Sequence, residues 1–388
     1  MKQLFKPHLS CLVTGILVLF LAACTGSEEE RAPTLLAVGL VENNQPQVAL
    51  ISTELNGDYT FLEESRQELP AVAQDFSVTG RRGERGELVV LSRAEDDDNE
   101  SYLDFFALRG IDPSNPVNFR PVANKPRLVI STFEDADGSF CGESLQISST
   151  GRYASIYNGT TCDGVDEPTI DVLDLQEERV LERITGGTFG LVRATPYIDQ
   201  QSDTLYYMTE GVNEASLIRL NLSNLNQDIF TTFNTENEND LTNYAADISR
   251  QDNNLLILRP AEILAVPLGA PATPITLATS SNSRRFIDNL TRSTDILTLT
   301  TSTLTVHRSL QDETEGTAQL SATAGTLEAA EGFAYFPVEG GVTRFDLLRY
   351  QRSSVEVSSL LRTFSVTELT KPGPIVYLKG ILPETPTP

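Results

Sequence analysis

Thr169-Ile170-Asp171-Val172-Leu173-Asp174-Leu175-Gln176-Glu177-Glu178-Arg179-Val180-Leu181 reads as strand, tight turn, strand. Its ends are apolar, partly β-branched and alternating, and the Gln-Glu-Glu centre is polar. Ser216–Leu222 followed by Asp228–Phe233 repeats the form. Other hairpins are equally legible. Gln47–Leu55 and Asp58–Leu62 flank Asn56-Gly57, a strong hairpin turn. Phe333–Val338 and Val342–Leu347 flank Glu339-Gly340-Gly341, and Leu255–Leu258 and Ile263–Val266 flank a short segment with Pro260. Ile296–Thr300 and Leu304–His307 are joined as tightly. After residue 33 no stretch sustains a 3.6-residue apolar period, so the chain reads as all-β.

The hairpins recur. Taking the strand that opens each unit to begin near Leu35, Leu88, Tyr153, Leu205, Leu255, Ile296 and Phe333 gives spacings of 53, 65, 52, 50, 41 and 37 residues, a mean of about 50. One small sheet of that length cannot bury both of its faces. Stacking the sheets around an axis buries them all. The expected fold is therefore a β-propeller, seven-bladed, with four-stranded antiparallel blades; the short 37-residue and long 65-residue spacings leave six or eight blades as alternatives. Residues 34–382 form the propeller domain in this reading and 383–388 a disordered tail. Ile375-Val376-Tyr377-Leu378 is strand-like and lies beyond the seventh unit, so it is expected to complete the first blade and close the ring.

Two stretches resemble known families. Ser148-Ser149-Thr150-Gly151-Arg152-Tyr153 is similar to the Ser-Pro-Asp-Gly-Arg-Tyr turn that opens blades in TolB-like and WD40-like propellers, with Ser149 and Thr150 in place of Pro and Asp. The 169–181 hairpin resembles the repeats of lactonase-like, YVTN-type propellers. The resemblance implies a fold; propellers host many functions.

The N-terminus reads as an address. Lys2 and Lys6 precede an apolar run, Leu12–Ala23, too short to span a bilayer and suited to a secretory signal. It ends Leu21-Ala22-Ala23-Cys24, which resembles the lipobox of bacterial lipoproteins. That resemblance implies cleavage of a 1–23 signal peptide and lipidation of Cys24, with 24–33 as an acidic tether (Glu28-Glu29-Glu30). The protein is then extracytoplasmic and lipid-anchored. Thr25 follows the Cys where Asp is associated with inner-membrane retention, which favours the outer membrane in a two-membrane cell. In a one-membrane cell the protein faces outward. Cys141 and Cys162 remain, an even pair in an oxidising compartment, and are expected to form a disulfide, with a metal pair or a redox pair as the alternatives.

Charge and composition exclude several functions. Lys and Arg number 29 against 54 Asp and Glu, a net charge of −25, so a basic nucleic-acid surface is not expected. Trp is absent, which removes quinoprotein-type blades, and His numbers two, of which His8 lies in the signal. His307 is then the remaining imidazole for a triad, at the end of an alternating strand, and no Gly-x-Ser-x-Gly elbow accompanies it. Zinc needs His or Cys clusters, which are missing. Calcium takes oxygen ligands, and the local candidates are Asp135 and Asp137 in Glu134-Asp135-Ala136-Asp137-Gly138. An EF-hand register over Gly138 fails, because position one falls on Phe133. Asp96-Asp97-Asp98 reads as a charged hairpin tip, and Asn158, Asp163 and Glu210 follow strands without a ligand pattern. Arg81-Arg82-Gly83-Glu84-Arg85 is the one basic cluster. Tyr153, Tyr157, Tyr206 and Tyr207 offer rings for a saccharide or peptide groove, or for core between blades.

The expected function is a lipid-anchored binding or scaffold protein of the cell envelope with a protein partner, a monomeric body, no cofactor and no enzymatic activity. The alternatives are a lactonase- or hydrolase-like enzyme using channel Ca²⁺ as Lewis acid, and a carbohydrate or small-ligand binder.

Overall fold

The computed structural model describes residues 34–53, 59–79, 86–94, 100–111, 116–159, 167–185, 191–192, 194–199, 202–211, 214–234, 247–251, 253–259, 262–269, 274–279, 286–289, 296–300, 302–307, 315–321, 324–330, 333–352 and 356–378. Its strands form seven antiparallel sheets, the blades of a β-propeller. In chain order, blade 1 holds β1 (Thr34–Glu42), β2 (Gln45–Thr53) and β3 (Tyr59–Glu68). Blade 2 holds β4 (Val72–Val78), β5 (Glu87–Arg93), β6 (Ser101–Ala107) and β7 (Leu128–Val129). Blade 3 holds β8 (Gly142–Ile147), β9 (Tyr153–Asn158), β10 (Thr169–Asp174) and β11 (Arg179–Ile184). In blade 4 the first strand is split into β12 (Leu191–Val192) and β13 (Tyr197–Asp199), followed by β14 (Thr204–Glu210), β15 (Glu214–Asn221) and β16 (Gln227–Asn234). Blade 5 holds β17 (Asp247–Gln251), β18 (Asn254–Arg259), β19 (Glu262–Pro267) and β20 (Ile275–Thr279). Blade 6 holds β21 (Phe286–Asn289), β22 (Ile296–Leu299), β23 (Thr303–His307) and β24 (Glu315–Gln319). Blade 7 holds β25 (Glu328–Ala330), β26 (Phe333–Val338), β27 (Gly341–Asp346) and β28 (Leu361–Ser365). β29 (Ile375–Leu378) returns to blade 1, where Leu35 faces Leu378 and Val38 faces Ile375. The ring is thus closed by one strand from the end of the chain and three from the start, as the apolar 375–378 run suggested. A short helix, Leu347–Arg352, sits between β27 and β28.

The core lies between blades. β5 shows why. Leu88 and Val90 pack with Leu35, Val48 and Leu62 of blade 1, whereas Val89 and Leu91 pack with Leu145, Ile147 and Ile156 of blade 3. Side chains alternate faces along a strand, and here both faces are covered. A second strand such as β5 therefore reads as an unbroken apolar run rather than as alternation. The same arrangement recurs around the ring. Further clusters join blades 3 and 4, 4 and 5, 5 and 6, and 6 and 7, and Val342 and Tyr335 of blade 7 pack with Leu36, Val38 and Tyr377 of blade 1. Each fully buried Leu, Val or Ile contributes about 1.5–3 kcal/mol.

One expectation is displaced by a strand. The runs taken to open each unit are β1, β5, β9, β14, β18, β22 and β26, and each is the second strand of its blade. The true first strands, β29, β4, β8, β12–β13, β17, β21 and β25, form the inner edge. They carry mixed sequences such as Val72-Ala73-Gln74-Asp75-Phe76-Ser77-Val78, because an edge strand has a ladder on one side only. For the same reason Ser148–Tyr153 does not open a blade. It turns from β8 to β9 inside blade 3, with the Gly151 N–H on the Ser148 carbonyl at 2.9 Å and Gly151 at φ +71°.

Candidate functional site

The inner strands of blades 2 and 3 meet at a carboxylate. β4 and β8 each carry a bulge, between Ala73 and Asp75 and between Gly142 and Ser144. Across this seam Asp75 Oδ2 accepts the Leu145 N–H at 2.7 Å and the Ser144 hydroxyl at 2.9 Å. Oδ1 accepts the Phe76 N–H at 2.8 Å. Burial pushes the Asp75 carboxyl up to about 6, against the three hydrogen bonds that favour its ionised form. An acid of the innermost strand can therefore hold or release a proton close to neutral pH. Sequence reading missed it, because β4 was not recognised as a first strand; the only available signal was one Asp in a short run of mixed composition.

Above Asp75, at the end of the seam where β8 begins, Arg93 Nη1 donates to Cys141 Sγ at 3.3 Å and lies 3.9 Å from Glu143. The Gly159 N–H donates to the Cys141 carbonyl at 3.2 Å. Cys141 is buried, and Cys162 lies outside the described residues. Next to it is a buried polar network. Asn158 Nδ2 donates to Asp171 Oδ2 at 2.6 Å and to Thr169 Oγ1 at 3.1 Å. Arg183 grips the same Asp171 through Nε at 2.7 Å and Nη2 at 2.9 Å, and its guanidinium lies 4.6 Å over the Phe140 ring. Asp171 is fully buried, and the bidentate pair with Arg183 satisfies both of its oxygens. Asn158 Oδ1 is buried with no hydrogen-bond partner among the described residues.

The two stretches that carried the family resemblance meet in space. Arg152, in the turn before β9, holds Asp174 Oδ2 through Nε at 2.9 Å and Nη2 at 2.7 Å. The Leu175 N–H donates to the Arg152 carbonyl at 2.7 Å. Burial alone would raise the Asp174 carboxyl, but Arg152 and the N–H groups of Glu177 and Gln176 hold it below the usual range.

The remaining sequence candidates disperse. Asp135 is paired with Arg179 at 2.7 Å and Asp137 is exposed, both in a segment lying along β11. Among the described residues no group of three or more His, Cys, Asp or Glu side chains is arranged to hold a metal ion. The four tyrosines do not share a groove. Tyr153, Tyr157 and Tyr207 belong to the core between blades 3 and 4, and Tyr206 to the core between blades 4 and 5. The Tyr207 hydroxyl donates to Gln227 at 2.8 Å. His307 ends β23 opposite Ile296 and Glu315, and Glu210 ends β14 opposite Leu191 and Ala215. Cys24, Arg81–Arg85, Asp96–Asp98 and Asp163 lie outside the described residues.

Seven radial sheets, seven cores between them and a shared first blade define the class: a seven-bladed β-propeller. No protein-family model matches the chain and no curated protein matches it. Among solved structures it is similar to a candidate 6-phosphogluconolactonase from Bacteroides fragilis, at 10% identity and TM-score 0.59 over 91% of this chain and 100% of that one. It is also similar to BamB from Moraxella catarrhalis, at 9% identity and TM-score 0.46 over 81% and 80%. The Cps50 (Swd1) propeller domain from Myceliophteria thermophila gives 10% and 0.49 over 79% and 90%. Likeness at such identities is likeness of fold.

Proposed function

We propose that the protein is a lipid-anchored, extracytoplasmic propeller that serves the cell envelope as a binding or scaffold protein for another envelope protein. The observation that carries the reading is the joining of two features: the Leu21-Ala22-Ala23-Cys24 motif, and a ring that the chain enters at Thr34, ten residues after the Cys. A tether of that length keeps a rigid wheel of loops within about 35 Å of the bilayer, where such loops can recognise a neighbouring protein. A Cys141–Cys162 bridge belongs to the same reading. Gly159, hydrogen-bonded to Cys141, brings the chain back three residues before Cys162, and an oxidising compartment would keep the bond.

The test is mild crosslinking in the native envelope, purification through a tag after residue 388, and mass spectrometry of what is held. One envelope protein recovered reproducibly, with an acylated N-terminal peptide from Cys24, supports the reading. Protein recovered alone and unacylated overturns it.

A further inference from the structure

The ring has two faces, distinguished by the connections they carry. Strand direction alternates within each blade. Every crossover between blades and every connection from second to third strand therefore leaves at one end, the crossover face. Every connection from first to second and from third to fourth strand leaves at the other. Thr34 opens β1, the second strand of blade 1. It lies opposite Thr53, the last residue of β2, and beside the pair Leu35 and Leu378, the latter ending β29. The segment running back to Cys24 thus joins the ring at this second, entry face.

The tether is too short to reverse this. Cys24 and Thr34 are ten residue steps apart, about 35 Å when fully extended. A path from Thr34 around the wall passes β2 and β3, two spacings of about 4.8 Å, and then runs the height of nine-residue β2, about 30 Å. That is about 40 Å before any side chain is cleared.

The described residues of the connections have the same polarity. Arg120, Lys125 and Arg127 run beside β6, and Glu134, Asp135 and Asp137 beside β11, on the outer wall. Apart from these, the described connections hold Arg109, Arg152 and Arg349 at the entry face and Lys371 at the crossover face, with four acids at each, so the contrast rests on cations, three against one. Cations near an anionic headgroup layer are attracted to it.

We propose that the anchored ring lies with its entry face toward the bilayer and its crossover face, depleted in cations, turned to the aqueous side as the surface a partner meets. This deepens the lipid-anchor reading and rests on it. The test uses the full chain, expressed with its leader and recovered from bacterial membranes, in vesicles of phosphatidylethanolamine and phosphatidylglycerol carrying a headgroup-linked acceptor dye. Two variants each carry one donor dye: Ser223→Cys in the turn between β15 and β16 at the entry face, and Glu339→Cys in the turn between β26 and β27 at the crossover face. Both residues are exposed. Energy transfer at least about threefold stronger from position 223 is expected, since the faces stand roughly 20–30 Å apart. Equal or reversed transfer on protein whose Cys24 is acylated overturns the orientation alone. An unacylated Cys24 overturns the anchor, and the orientation with it.

Discussion

Replacing Asp75 by Asn should remove a pH dependence of stability that the inner seam builds in. The carboxyl ordinarily titrates near 3.8 and here at about 6. Each unit is about 1.4 kcal/mol, so keeping Asp75 ionised at neutral pH costs the fold about 3 kcal/mol. The sign follows from linkage. A carboxyl raised in the folded state contributes stability in full below its unfolded pKa, and that contribution is lost as pH rises through the folded pKa. The window is therefore about pH 4 to 6. Asn keeps one oxygen for the Leu145 N–H and the Ser144 hydroxyl but gives up the acceptor that faces Phe76. At pH 4 the variant should be the less stable protein by about 1 kcal/mol, the net worth of one hydrogen bond. At pH 7 it should be the more stable one. An unfolding entropy of about 2.1 cal/mol/K per residue over about 350 residues makes 3 kcal/mol about 4 °C in Tm. The assay is thermal unfolding of both proteins from pH 4 to 7, with the difference between them as the readout, because other carboxylates titrate in both and cancel. A difference that stays constant across that range refutes the placement of Asp75.

Cys162→Ser should lower stability by about 3 kcal/mol, the loop-closure value for a 21-residue separation, and dithiothreitol should lower the wild type by the same amount in denaturant melts while leaving the variant unchanged. Two neighbouring glycines should respond differently to Ala. Gly341→Ala puts a Cβ into the Phe364 carbonyl of β28, a backbone atom that cannot swing away, and should cost about 3 kcal/mol; Gly340→Ala meets open space and suffers only its φ of +75°, about 1 kcal/mol, and equal midpoints in urea would contradict this ranking. Arg152→Ala should move acid unfolding. Asp174 is held below its usual range by Arg152, so the pair stabilises above the unfolded pKa and its contribution is lost as pH falls through the folded value; wild type and variant should differ at pH 7 and converge as pH falls below the ordinary carboxylate range in circular dichroism.

The blades were legible because their second strands are covered on both faces. Leu88–Leu91 and Leu255–Leu258 are apolar without a break, Ile296–Leu299 is interrupted only by the buried Thr298, and their spacing marks the repeat. The same fact misplaced the start of each blade, since the strands that line the axis are mixed in composition and β21 has four residues. Hairpin partners lie close in sequence and were found: Thr53 faces Tyr59, Arg259 faces Glu262 and Leu299 faces Leu304. The candidate site was not found, because its contacts depend on how neighbouring blades are set against each other. Asp75 meets Leu145 across 70 residues, and Arg93 meets Cys141 across 48. Bulges in β4 and β8 decide that register, and a bulge has no fixed signature in a sequence of this kind.

Closure explains why four residues near the end of the chain carry more than their share of the fold. β29 is the inner strand of blade 1, and it borders two cores at once. Leu378 packs with Leu35, Ala73 and Leu88 between blades 1 and 2, while Ile375 and Tyr377 pack with Leu36, Val38 and Tyr335 between blades 7 and 1. The backbone is tied in on both sides as well: the Gly39 N–H donates to the Pro374 carbonyl at 3.0 Å, and the Ile375 N–H to Thr326 of blade 7 at 3.0 Å. Every other blade is built from neighbouring hairpins, whose loop-closure entropy is small. The pairing of Leu35 with Leu378 must wait for nearly the whole chain, and contacts of such separation form late. Until they form, two of the seven seams are open and no edge of blade 1 is covered on the axis side. The ring therefore gains its cooperativity at the last strand.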